Sequence, residues 1–68
     1  MNQSLQDARR AKGLTQVELG IRADLNRSTV AQIECGQRPS RRTAERLAAV
    51  LDVDPVTIWP NFNELWRG

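Results

Sequence analysis

The chain holds no histidine, no tyrosine and a single cysteine, and its only aromatics are two tryptophans and one phenylalanine. Each scarcity excludes something. A zinc site needs a cluster of nitrogen and sulfur ligands, and Cys35 alone supplies none. A nucleophile activated by a neighbouring imidazole is excluded for the same reason. One cysteine cannot close an internal disulfide, which rules out a secreted, disulfide-stapled scaffold. No glycine-rich phosphate loop is present, and no pair of acids stands in an evident pocket. An enzyme is therefore not expected, nor a cofactor. No apolar run approaches the ~20 residues of a membrane span, and the first residues do not read as a signal peptide. A cytoplasmic protein without a membrane partner is expected.

At 68 residues the chain is expected to form one domain, 1–68, with a thin core. The formal net charge is only +2, but its distribution is uneven. Nine of the ten basic residues lie between Arg9 and Arg46, and all but Lys12 are arginine. From Asp52 onward three acids face Arg67 alone. A basic body with an acidic tail suits a polyanion partner, although ordinary solvated ion pairs give the same balance. Arginine adds bidentate recognition of phosphate and guanine.

No stretch alternates apolar and polar residues for long enough to form a strand. The breakers cut the chain into helix-sized pieces, so the fold expected is all-α, a compact bundle of five short helices. The first runs from about Asn2 or Ser4 to Lys12, with Ser4 and Asp7 as a capping box and Gly13 beyond its end. The second starts after Thr15, where Thr15 and Glu18 form a clearer box. Leu19 and Ala23 face inward at i, i+4, and Gly20 is expected to admit a close neighbouring helix. Asp24 and Leu25 turn the chain. Asn26 caps a third helix ending near Glu34 or Cys35, with Val30 and Ile33 on its core face. Ser40 caps a fourth, about Arg41 to Leu51, whose Ala44, Leu47, Ala48 and Leu51 form a buried stripe. Asp54-Pro55 opens a short fifth helix that Pro60 stops. The core is expected over about 4–59. Residues 60–68 are expected to form an aromatic tail lying away from the face that would meet a polyanion, with one further turn through Phe62, Leu65 and Trp66.

The second and third helices are joined by a very short turn, which makes them cross steeply. The exposed side of the third opens with Arg27, Ser28 and Thr29 and continues with Gln32. Taken alone, this is a solvated helix face. Set on such a pair of helices, it matches a helix that enters the major groove by its N-terminal half.

The runs Gly13-Leu14-Thr15-Gln16-Val17-Glu18-Leu19 and Asn26-Arg27-Ser28-Thr29-Val30-Ala31-Gln32-Ile33-Glu34-Cys35-Gly36 resemble the Cro/repressor family of helix-turn-helix domains, also called the XRE family. Leu51-Asp52-Val53-Asp54-Pro55 is similar to a later corner of the same family. Gly20 and Asp24 depart from the pattern, which usually has Ala and Gly there. The resemblance spans about Leu5 to Trp59 and implies a lambda-repressor-like domain that binds double-stranded DNA. It assigns base reading to Arg27, Ser28 and Gln32. It assigns backbone contact to Gln16, Thr29, Gln37, Arg38, Ser40 and Arg41, and a structural pair to Arg9 and Glu34. Members commonly bind as two-fold dimers, and Leu65 and Trp66 are the expected dimer contact. A transcriptional repressor on a palindromic operator is the function implied. The rivals are an antitoxin or restriction–modification controller with a protein partner such as a toxin, and an adaptor without DNA binding.

Overall fold

A computed structural model describes residues 2–66. Its helices are α1 (Gln3–Ala11), α2 (Gln16–Ala23), α3 (Arg27–Glu34), α4 (Arg41–Leu51), α5 (Pro55–Ile58) and α6 (Phe62–Leu65). The architecture is all-α, with six helices rather than five among the described residues. The extra helix is the turn expected through Phe62, which closes because Leu65 N–H reaches Asn61 C=O at 2.8 Å.

The starts of α1 to α5 are set by a side chain that accepts from an otherwise unpaired backbone N–H, whereas α6 has no such cap. Thr15 and Glu18 form the reciprocal box, with Glu18 N–H donating to Thr15 Oγ1 at 3.1 Å and Thr15 N–H to Glu18 Oε1 at 2.9 Å. Asn26, Ser40 and Asp54 cap α3, α4 and α5 as expected. The box expected at Ser4 and Asp7 does not form. Asn2 caps α1 instead, accepting from Leu5 N–H at 3.0 Å, and Asp7 accepts from Gln3 Nε2 at 3.1 Å. Starting at Asn2 rather than Ser4 adds a tether, since Asn2 N–H donates to Glu34 C=O at 2.8 Å.

The ends of α2 and α4 share one device. Leu25 N–H returns to Gly20 C=O at 2.7 Å, and Val53 N–H returns to Ala48 C=O at 3.0 Å. Both closures need a left-handed residue in between. Asp24 takes that place at φ 58° and Asp52 at φ 57°.

Gly20 has a different reason from the one its sequence position suggests. A Cβ there would stand 2.6 Å from the Leu25 carbonyl oxygen. The close neighbour is the backbone of the turn, not another helix. The glycine lets the turn fold tightly over the end of α2, and so fixes where α3 begins.

Leu5, Leu19, Val30, Leu47 and Leu51 are fully buried at the centre, with Ala23, Ile33 and Ala44 between them. The helix pair α2–α3 packs on itself and on α4, while α1 reaches α3 and α5. The core does not stop at 59, because Phe62 joins Ile58 and Trp59 in it. Trp66 packs on that end, edge-on to Trp59 with centroids 5.8 Å apart and tilted to Phe62 at 5.1 Å. No described helix is long and apolar enough to cross a membrane.

Candidate nucleic-acid interface

Helix α3 is anchored on one side and free on the other. Val30 and Ile33 hold it to the core, leaving Arg27, Ser28 and Gln32 exposed. Asn26 terminates its first turn, accepting from Thr29 N–H at 2.9 Å and from Thr29 Oγ1 at 2.8 Å. The Thr29 hydroxyl is thus engaged within its own helix, and the residue is half-buried.

A buried ion pair fixes the other end of α3. Arg9 Nε donates to Glu34 Oε2 at 2.6 Å and Arg9 Nη2 to Glu34 Oε1 at 3.3 Å. Arg9 Nη1 donates to Leu14 C=O at 2.9 Å, and Gln16 Nε2 reaches Glu34 Oε1 at 3.2 Å. Glu34 is 3% exposed, so its charge depends on these donors. Burial pushes its carboxyl up. The hydrogen bonds from Arg9 and Gln16 and the Arg9 charge outweigh burial and hold it below the usual carboxylate range. One carboxylate therefore joins α1, the start of α2 and the end of α3.

Two shallow grooves flank α3. One brings Gln16, at the N-terminus of α2, beside Arg27. The other joins Thr29 and Gln32 to Gln37, Arg38 and Ser40 in the link to α4. Residues distant in sequence thus gather around one exposed helix. The N-termini of α2 and α3 carry partial positive charge and free N–H groups suited to anions. The Ser40 hydroxyl caps α4, accepting from Thr43 N–H at 3.2 Å, and it donates to Thr43 Oγ1 at 3.0 Å.

The family model described as a helix-turn-helix domain matches residues 3–58. The chain belongs to this family. It is an XRE-type helix-turn-helix domain, a DNA-binding class of transcription regulators rather than of catalysts. No curated protein and no solved structure matches the chain significantly. In the helix-turn-helix domain, α2, the Asp24–Asn26 turn and α3 form the motif, and α1, α4 and α5 form its scaffold. Among the described residues no group of His, Cys, Asp and Glu gathers as a metal site.

Other arginines are held in ways that the sequence did not announce. Arg38 Nη1 donates to Leu65 C=O at 3.0 Å, and Arg41 Nη1 to Trp66 C=O at 3.4 Å. The Trp66 indole N–H donates to Pro39 C=O at 2.9 Å. The tail was expected to lie away from the nucleic-acid face. Instead it folds against the segment to which backbone contact was assigned. The cause is the aromatic surface of residues 59–66, which offers the arginines ring faces and terminal carbonyls together. Leu65 is 39% exposed, while Trp66 is half-buried against its own core. Cys35 is a free, exposed thiol at the end of α3.

Proposed function

We propose that this helix-turn-helix domain is a sequence-specific transcriptional repressor that binds a palindromic operator as a homodimer. The observation that supports it most is α3. Its exposed side carries Arg27, Ser28 and Gln32, while its buried side is locked by Val30, Ile33 and the Arg9–Glu34 pair. A helix so held can lie in the major groove without losing its own packing. Arg27 reads guanine by two N–H donors, and Gln32 reads adenine. Ser28 contacts a neighbouring base edge. Gln16, Thr29, Gln37, Arg38, Ser40 and Arg41 contact phosphate and sugar, which set affinity and register without selecting sequence. Bound to DNA, the protein acts in the cytoplasm, on the nucleoid.

A dimer suits the dimensions. The domain's long axis is 31 Å. Half-sites one helical turn apart are separated by ~34–36 Å, a spacing comparable with that length. Val56 and Leu65 are exposed apolar residues on α5 and α6, and with the half-buried Trp66 they supply surface for contact between the two copies.

Selection from a random duplex library tests this reading. A two-fold symmetric motif is the expected result. A one-sided motif removes the dimer, and no enriched motif removes sequence-specific binding and directs attention to a protein partner.

A further inference from the structure

Three contacts join residues 62–66 to residues 38–41, across more than twenty positions of chain. Two are the carbonyls of Leu65 and Trp66, accepting from Arg38 and Arg41 at 3.0 and 3.4 Å. The third is the Trp66 indole, which fixes the Pro39 carbonyl at 2.9 Å. Two ring faces add to these. The Arg38 guanidinium stands 5.8 Å from the Trp66 ring centroid, and that of Arg41 stands 5.3 Å from the Phe62 centroid. Both distances lie within the range of a cation–π attraction.

An exposed arginine ordinarily samples many rotamers, and binding a phosphate must fix one of them. Here each guanidinium already rests on a ring and a carbonyl. A guanidinium has five donors, and the structure commits only part of them. For Arg38 one donor is bound to Leu65 C=O. For Arg41 one is bound to Trp66 C=O, and Nε faces Glu45 Oε1 at 3.8 Å. Both residues remain exposed, so the free donors are open to a ligand.

We infer that Trp66 is a positioning residue for DNA-backbone binding: with Phe62 it holds Arg38 and Arg41, and the Pro39 loop between them, in a conformation ready for consecutive phosphates. This rests on the proposed DNA-binding reading and deepens it. The C-terminal turn, which lies beyond the family match at residues 3–58, becomes part of the binding surface without touching DNA itself. Preorganisation of two long side chains corresponds to about a tenfold gain in affinity. It carries no sequence preference, because its ligand is phosphate.

A double-mutant cycle tests the inference. The probes are the duplex selected from the library and a random-sequence duplex of about two helical turns, each titrated at several KCl concentrations. The parent is expected to bind both with salt-dependent affinity, and Trp66→Ala to bind both about tenfold more weakly. In an Arg38→Ala/Arg41→Ala background, Trp66→Ala is expected to change affinity little further. Equal loss in both backgrounds would mean a general structural effect and overturn the inference, as would unchanged binding by a folded Trp66→Ala variant. A parent that binds neither duplex overturns the DNA-binding reading and this inference with it. If Trp66→Ala does not fold, NMR relaxation of the arginine side chains in the native domain decides. Arg38 and Arg41 Nε–H groups more ordered than that of Arg42 are expected, and equal mobility would overturn the inference.

Discussion

Arg9 and Glu34 stand twenty-five residues apart in the chain and meet as a buried ion pair with a 2.6 Å bond. The guanidinium also serves the Leu14 carbonyl, and the carboxylate also serves Gln16. Desolvation of both ions is offset by this full set of partners. Removing one partner leaves the other charged and buried.

Glu34→Ala is accordingly expected to cost about 3 kcal/mol or more. A domain of this size has a total stability of roughly 3–10 kcal/mol, so the variant sits near the unfolding threshold. Urea denaturation followed by far-UV circular dichroism measures it. A loss below about 1 kcal/mol would show that the pair is not what fixes the end of α3.

The same group sets an acid limit. Glu34 titrates below its ordinary value of 4.5 in the folded state. Glu18 does also, chiefly because its carboxylate accepts the Thr15 backbone N–H, with the Arg22 charge adding to this against opposing desolvation. For groups whose folded value is depressed, the unfolded chain binds more protons as the pH falls. Their stabilisation is present above about pH 4.5 and is lost as the pH drops through the folded values. Urea midpoints across pH 2–7 should stay level above that point and fall below it. Glu34→Gln should flatten the fall, and an unchanged acid slope would assign the sensitivity elsewhere.

The turn that positions α3 gives a pair of opposite effects. Asp24 holds a left-handed conformation, which costs a non-glycine residue roughly 1 kcal/mol. Asp24→Gly should raise stability by up to about that amount, less the weak 3.9 Å contact with Arg46. Gly20→Ala should lower it by about 1–3 kcal/mol, because the new methyl meets a backbone carbonyl. Thermal melting of the two variants checks both signs.

Much of this fold is legible in the sequence, for a physical reason. Caps at Thr15, Asn26, Ser40 and Asp54 act on neighbours two or three residues away, so local spacing reveals them. The apolar stripe of α4 is visible on the same ground. Ser4 and Asp7 mislead because Asn2 competes for the same helix start and its N–H donates to the Glu34 carbonyl. Gly20 marks a close approach, but spacing cannot tell a backbone turn from a helix. At the candidate interface, the exposure of Arg27, Ser28 and Gln32 follows from the spacing of Val30 and Ile33 on the opposite side of α3. The grip of Leu65 and Trp66 on Arg38 and Arg41 does not, since no local period links positions twenty-five and twenty-seven apart.

Arg27 and Gln16 should separate specificity from affinity. Arg27→Ala is expected to lower affinity for the selected duplex by about 1–3 kcal/mol and to leave random duplex nearly unchanged. Gln16→Ala should weaken both alike and leave the salt slope nearly unchanged, because a neutral amide releases no counterion. Equal losses on both duplexes from both variants would contradict the division between base and backbone contacts.

The measurement that tests the central claim most directly is an NMR titration of the isotope-labelled domain with the selected duplex. The account predicts amide shifts at Gln16, along Arg27 to Gln32, and through Gln37 to Arg41, with the buried stripe of α4 unmoved. Shifts confined to α5 and α6, or no shifts at all, would contradict it.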